Sequence, residues 1–243
     1  MNKNIIIVYY IYINELSNWK AIIKGQLLDI KKFGLLKKSQ LYIHITSTYP
    51  IEEVINFINT ITQKAIISFS SINQYEYPAI NLIYNLAKDN ESTIFIYFHT
   101  KGMSYEINER LPKEKKLLYS TFKPWKKIIK KMNNSDLFNK SGFFISQNGV
   151  FIWYNFWYAK GKFLINLEKP KITNDRYYYE SWLGKVNISN YTYNDTLSIY
   201  DSKFNKGLEP KEVSLILNKM IERDKRRYYL IKLFKYIKNI FNA

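Results

Sequence analysis

Two hydrophobic periods alternate along the first part of the chain. Short β-branched and aromatic runs, a pattern typical of buried strands, occupy residues 5–13, 41–45, 65–69 and 93–98. Between them, apolar residues return about every three to four positions, as on the buried face of a helix. These helical stretches are residues 18–33, 51–61 and 78–88. Strands that alternate with helices predict an α/β fold with a mostly parallel central sheet flanked by helices.

The pattern changes in the second half of the chain. A basic helical stretch over residues 112–132 is divided at Pro124, which fits best in the first turn of a second helix. Residues 141–146 and 188–199 are expected to be extended, residues 151–159 are almost wholly aromatic and apolar, and residues 174–183 have helical spacing. A last helix is predicted from Pro210 to residue 241. We expect one domain over residues 1–205 and a basic amphipathic helical tail over residues 206–243.

Composition limits the class of protein. Hydrophobic residues make up 47% of 243, enough for a substantial core, and the absence of cysteine excludes disulfides and thiolate metal sites. No apolar run reaches the ~18 residues of a membrane-spanning helix. The first apolar run is followed by polar residues without a small-residue cleavage site, so we interpret it as a strand rather than a signal peptide. We expect a cytoplasmic protein, free or peripheral on the inner face of the membrane.

The net charge of +17 indicates an anionic partner. Nucleic acid, an anionic lipid surface and phosphorylated small molecules all fit, and lysine-rich compositional drift is the alternative. Residues 225–243 contain six cations and no acid, and their apolar residues recur at helical spacing. This pattern is typical of a helix that lies on an anionic membrane, although a terminal helix docked on its own domain gives the same pattern. A second basic cluster lies at residues 123–131.

The fourth apolar run ends abruptly in His99-Thr100-Lys101-Gly102. Open α/β sheets bind ligands at the carboxyl ends of their strands. A lysine there can meet a phosphate as a point charge, and a glycine lets the backbone approach a ligand closely. The alternative is that Lys101 is a surface cation in a turn.

Several segments together resemble one family. They are residues 34–45 (GLLKKSQLYIHI), 76–88 (EYPAINLIYNLAK), 98–103 (FHTKGM), 155–160 (NFWYAK) and 176–184 (RYYYESWLG). In content and order they resemble a family of bacterial and large-virus glycosyltransferases with a GT-A-like, Rossmann-related fold, over roughly residues 1–185. The chain departs from the family pattern at Ala79, at Tyr158 and at Trp153-Tyr154, where the family has Ser-Gly. The last departure puts the acceptor pocket in question.

The resemblance implies a nucleotide-sugar donor whose diphosphate leaves during transfer. His99, Thr100, Lys101 and Gly102 are the implied donor-binding residues. Glu76, at the start of a helix, is either a further donor contact or a partner of the helix dipole. No Asp-x-Asp pair occurs in the chain, so we expect Lys101 to stabilise the leaving group in place of a metal. Transfer should then require no cofactor, or depend only weakly on Mn²⁺ or Mg²⁺.

An inverting transfer also needs a base for the acceptor hydroxyl. Asp175 and Glu180 are the candidates, and the family helix makes Glu180 the first choice. Partial burial between Tyr179 and Trp182 would make Glu180 a stronger base. Arg176 lies four residues before it on the same helical face, so a simple ion pair is the alternative.

Sugar or acceptor binding is assigned to Asn155, Phe156, Trp157 and Arg176. Aromatic faces stack on the apolar faces of sugars, and an amide bonds their hydroxyls. Because residues 151–158 are also apolar enough to form core, packing is the alternative role for the two rings.

Three functions remain in competition. The first is a glycosyltransferase that moves a sugar from a nucleotide donor to a surface glycan or a lipid-linked saccharide. The second is a basic nucleic-acid-binding protein, although no recognisable binding motif is present and no specific nucleic acid is expected. The third is an inactive member of the glycosyltransferase fold that serves as an assembly partner, a possibility that Trp153-Tyr154 keeps open.

Overall fold

The computed structural model describes residues 5–101, 103, 106–175, 177–188 and 191–241, with only the backbone described for residues 235–241. Its strands are β1 (Ile5–Tyr12), β2 (Gln40–Thr46), β3 (Ala65–Ser70), β4 (Ile94–His99), β5 (Lys140–Gly142), β6 (Trp157–Lys160) and β7 (Thr196–Ser198). Its helices are α1 (Trp19–Lys32), α2 (Ile51–Asn59), α3 (Tyr77–Lys88), α4 (Pro112–Phe122), α5 (Trp125–Asn133), α6 (Gly161–Leu164), α7 (Tyr177–Glu180) and α8 (Pro210–Phe241).

The seven strands form one sheet in the order β3-β2-β1-β4-β6-β5-β7. The four strands from the first part of the chain are parallel to one another, and β7 is parallel to β5. Strand β6 runs antiparallel to both β4 and β5. Parallel pairing requires a crossover between strands, and α1, α2 and α3 provide it. The predicted α/β fold with a mostly parallel central sheet flanked by helices is confirmed.

Burial on both faces of the sheet explains the continuous apolar runs. Along β1, Ile7 and Tyr9 face one core with α1, α2, α4 and α5, while Val8 and Tyr10 face a second core with α3, α6 and α7. Successive side chains of a strand point to opposite faces, so a strand covered on both sides has no position for a polar residue. The central strands therefore lack the alternation of a half-exposed sheet.

The first half of the chain follows the predicted elements to within about two residues, a normal uncertainty in element ends. Helix α1 begins after Asn18, whose side chain accepts a hydrogen bond from the backbone N–H of Ala21 at 3.2 Å. It ends before Gly34, which has a φ of +76°. Pro124 stands at the start of α5, as predicted.

The second half departs from three expectations. Residues 174–183 do not form one helix: α7 is a single turn, followed by a 3₁₀ turn at Trp182–Gly184. Among the described residues of the stretches 141–146 and 188–199, only short pieces are strand, in β5 and β7. These stretches lie beyond β6, the antiparallel strand that interrupts the parallel part of the sheet. Their polar groups bond nearby turns instead: Tyr193 donates to the carbonyl of Gly184 at 2.7 Å.

Helix α8 forms as predicted, and its first half packs against α4. Val213 and Leu217 are buried there. Across the described residues, no helix is both long enough and apolar enough to cross a bilayer.

Candidate functional site

A cavity of about 410 Å³ lies at the carboxyl ends of β1 and β4. We call it the sheet-end pocket. It is lined by Tyr10, Tyr12, Asn73, Tyr75, Glu76, His99, Thr100, Lys101, Met103, Leu111, Lys113, Glu114, Leu117, Tyr154 and Glu180. Ligands of open α/β sheets bind at this end of the strands. Five residues that the sequence singled out therefore lie together: Glu76, His99, Thr100, Lys101 and Glu180.

Thr100 joins the ends of the two central strands. Its hydroxyl accepts a hydrogen bond from the backbone N–H of Tyr12 at 2.9 Å and lies 3.2 Å from the carbonyl oxygen of the same residue. Its own N–H donates to the carbonyl of Tyr10 at 3.0 Å. The hydroxyl of Thr100 thus holds the pocket floor together, and the donor-binding role of this residue stays a prediction.

His99 is held as a neutral imidazole. Burial lowers its pKa to about 3, and the adjacent Lys101 adds to the effect, whereas Glu180 opposes it. The ring Nε2–H donates to the carbonyl of Tyr154 at 3.4 Å. Lys101 and Glu180 are therefore both near enough to His99 to act on it electrostatically. The ammonium of Lys101 lies 5.1 Å from the ring centroid of Tyr154, a cation–π distance.

Three of the four described non-glycine residues with a positive φ lie at the pocket or next to it, and the fourth, Asn205, does not line it. Tyr75 has a φ of +53°, Tyr154 of +68° and Asn155 of +57°. A side chain in this left-handed region costs roughly 1–2 kcal/mol and persists only where the surroundings impose it. Such residues cluster at ligand sites. Two of the three strained residues line the pocket, and the third lies next to it in sequence.

Glu76 organises the wall beneath the strained segment. Its Oε2 accepts hydrogen bonds from the Tyr97 hydroxyl at 2.6 Å and from the Asn155 amide at 2.5 Å. The oxygen of that amide in turn accepts from the indole N–H of Trp157 at 2.8 Å. Burial and the nearby Glu76 both raise the pKa of Tyr97. This partly buried chain of hydrogen bonds holds Asn155 in its strained conformation.

Phe156 and Trp157 do not offer a sugar platform. Their exposed fractions are 1% and 0%, and they pack against His99 and Tyr97. The prediction of stacking faces on these two rings is therefore wrong, and their alternative role as core is confirmed. The strand period explains this, because Trp157 starts β6 inside the sheet. Tyrosines that line the pocket and keep exposed surface are Tyr12, Tyr75 and Tyr154 instead.

The two candidate bases lie in different environments. Glu180 is half-buried and lines the pocket. Asp175 is exposed, does not line the pocket, and accepts a hydrogen bond from the backbone N–H of Tyr177 at 2.9 Å. The structure thus favours Glu180 by position. Gly102 and Arg176, two further predicted site residues, lie outside the described residues.

The Trp153-Tyr154 pair divides its two rings between core and pocket. The indole N–H of Trp153 donates to the carbonyl of Leu208 at 3.0 Å, and the indole packs against the core that contains Ile7 and Tyr9. Tyr154 lines the pocket, where a serine or glycine would leave space. The ring of Tyr154 therefore narrows the candidate site itself.

The sequence did not predict a buried ion-pair network that lies beneath the pocket. Arg110 donates to both carboxylate oxygens of Glu114, at 2.7 and 2.9 Å, and to Asp29 at 2.8 Å. Gln26 donates to Glu114 at 2.9 Å and accepts from the Tyr9 hydroxyl at 2.5 Å. Because Glu114 lines the pocket, this network fixes part of its wall.

One signal in the sequence could have revealed the network. Glu114 shares the buried face of α4 with Leu117, Leu118 and Thr121. A carboxylate on an apolar helix face requires a buried partner. Arg110, four residues earlier, has the spacing to supply it.

No group of three or more metal-ligating side chains occurs in the part of the chain that the structure describes.

Comparison with protein-family models, with curated proteins and with solved structures gives no match for this chain. The function has to be argued from the site.

Proposed function

We propose that the protein is a glycosyltransferase, which moves a sugar from a nucleotide-sugar donor to a surface glycan or a lipid-linked saccharide. One observation carries the proposal: Lys101 and Glu180 share a pocket at the carboxyl ends of the central parallel strands. A mostly parallel sheet flanked by helices is also the architecture that the resemblance implies. The pocket volume of about 410 Å³ lies within the ~300–1,000 Å³ of small-molecule sites.

The cation in the pocket suits a departing diphosphate. When the bond between the anomeric carbon and the diphosphate oxygen breaks, negative charge grows on that oxygen. Lys101, fixed against the ring of Tyr154, is proposed to meet this charge. Lys113, at the pocket rim on α4, is a second cation within the same cavity. Because His99 is neutral there, the positive charge offered to the diphosphate comes from the lysines.

The carboxylate suits activation of an acceptor hydroxyl. In an inverting transfer, the acceptor oxygen attacks the anomeric carbon as the diphosphate leaves, and Glu180 takes the hydroxyl proton. A half-buried position in the pocket wall is suitable for such a base. Asp175, outside the pocket, is not assigned a part in the reaction.

A donor-hydrolysis and transfer screen tests this proposal. The full chain is incubated with a panel of nucleotide sugars, with and without an acceptor mixture, and released nucleoside diphosphate is measured with chelator and with manganese. We expect release from one donor, and we expect it to survive chelator. Release only with manganese would overturn the role of Lys101 as the charge that replaces a metal. Binding to random oligonucleotides without release from any donor would favour the nucleic-acid alternative.

Two variant pairs assign the residues. Lys101→Met should lower turnover by about 10²–10³-fold, the range for loss of a group that stabilises transition-state charge, while Lys24→Met, at an exposed position on α1, should not. Glu180→Gln should lower turnover by about 10²–10⁴-fold, while Asp175→Asn should keep it. Full activity in Lys101→Met or Glu180→Gln would remove that residue from the mechanism.

A further inference from the structure

The distal half of α8 is an apolar helix face that the domain does not cover. Leu230, Leu233 and Phe234 are exposed to 55%, 53% and 68%. Large apolar side chains this exposed are individually ordinary, but a contiguous group marks an interaction surface. Their spacing puts them on one side of the helix, about one turn apart.

This face is not an extension of the docked face. In the first half of α8, Val213 and Leu217 are buried, and Asp224 continues the same side by pairing with Lys116 of α4 at 2.6 Å. At about 3.6 residues per turn, the stripe of Leu230 and Phe234 is rotated by roughly a third of a turn from that side. The exposure of Leu230, Leu233 and Phe234 shows that this stripe does not lie against the domain, so the docked-helix alternative does not account for it.

The charge of the distal half complements an anionic surface. Residues 225–243 contain six cations and no acid; the cations are Lys225, Arg226, Arg227, Lys232, Lys235 and Lys238. By helical spacing, Lys225 and Lys232 fall on the side opposite the apolar stripe, whereas Arg226 and Arg227 flank its amino-terminal end. A helix with an apolar face, a lysine-rich opposite face and modest overall hydrophobicity lies in the plane of a membrane interface.

We propose that residues 225–241 bind an anionic lipid surface, with the stripe of Leu230, Leu233 and Phe234 in the headgroup–acyl boundary and the cations at the phosphates. The first half of α8, which packs against α4, then holds the domain at the membrane surface. This proposal rests on α8 alone and does not depend on the catalytic proposal.

Vesicle co-sedimentation of the full chain tests the proposal. The probes are vesicles of phosphatidylcholine alone and vesicles that also contain phosphatidylglycerol. We expect binding to the anionic vesicles only, weakened by salt because the attraction is screened. Equal binding to both vesicle types, or no binding to either, would overturn the proposal.

Two variants and a control separate the contributions. Leu230→Gln with Phe234→Gln should lower vesicle affinity by at least tenfold, and Lys225→Gln with Lys232→Gln by roughly fivefold per cation. The control, Leu16→Gln with Phe204→Gln, changes two side chains exposed to 68% and 74% outside α8 and should bind as the unaltered chain does.

The alternative occupant of the apolar face of α8 is a second copy of the chain. Light scattering without vesicles measures this directly. A dimer that disappears in the Leu230→Gln, Phe234→Gln variant would overturn the lipid proposal in favour of self-association, whereas a monomer in both chains supports it. Folding of each variant is checked by its thermal unfolding, which changes at exposed positions should leave within a few degrees.

Discussion

Acid should destabilise this protein through its two histidines before its carboxylates titrate. The chain contains only His44 and His99; His44 is buried and His99 is partly buried in the pocket wall, and both rings are neutral. Burial lowers the pKa of His44 to about 4 and, with Lys101, that of His99 to about 3. His44 lies between the hydroxyls of Ser68 and Ser70, at 2.9 and 3.2 Å, without an acidic partner among its hydrogen bonds.

The sign of the effect follows from the difference between folded and unfolded pKa. An unfolded histidine titrates near pH 6.5, so below that pH the unfolded chain binds protons that the folded chain does not. Stability is therefore fully present above pH 6.5 and falls as the pH is lowered towards the folded values of about 4 and 3. Between pH 7.0 and 5.5 each ring should remove about 1.2 kcal/mol, and the two together about 2.5 kcal/mol.

Urea unfolding followed by tryptophan fluorescence measures this loss at pH 7.0 and 5.5, a window in which carboxylates with ordinary pKa values stay ionised. The matched variant is His44→Gln with His99→Gln, which keeps an amide donor near each ring nitrogen. The free energy of unfolding of this variant at pH 7.0 need not equal that of the unaltered chain. Its decrease between pH 7.0 and 5.5, however, should be only a few tenths of a kcal/mol. A double variant with the same loss as the unaltered chain would refute the reasoning.

Two further predictions concern the buried network. Glu114→Ala should lower the free energy of unfolding by about 3–5 kcal/mol, because it leaves Arg110 buried without its main partner, whereas Glu109→Ala at an exposed position should change it little; equal losses in denaturant titrations would contradict this. Gly25→Ala should destabilise by about 1–3 kcal/mol, because its Cβ would lie 2.5 Å from the Cδ of the fixed Arg110. At Gly34 an added Cβ meets nothing within 4 Å. Gly34→Ala should therefore lower the free energy of unfolding by only ~1 kcal/mol, the cost of alanine in a left-handed backbone. A larger loss there would show that backbone strain, not space, dominates.

The sequence alone determined the framework of the fold. Strands buried on both faces must be apolar throughout, and the helices that cover them must carry apolar residues about every 3.6 positions. These two local patterns fixed β1 to β4 and the helices between them, and they fixed α8. The end of β4 could be predicted as a site because parallel strands present their carboxyl ends to ligands. On that ground Lys101 and His99 were predicted to lie in a pocket, and both do.

Only the tertiary structure decided which distant segments complete that pocket. Tyr75, Glu114 and Tyr154 come from three separate parts of the chain, and no local period links them. The sequence also could not tell a stacking ring from a core ring. Trp157 is apolar in either role, and its burial follows from β6 entering the sheet between β4 and β5. Local periodicity reflects the backbone's own geometry, whereas convergence of loops and burial of a given ring depend on packing between elements far apart in sequence.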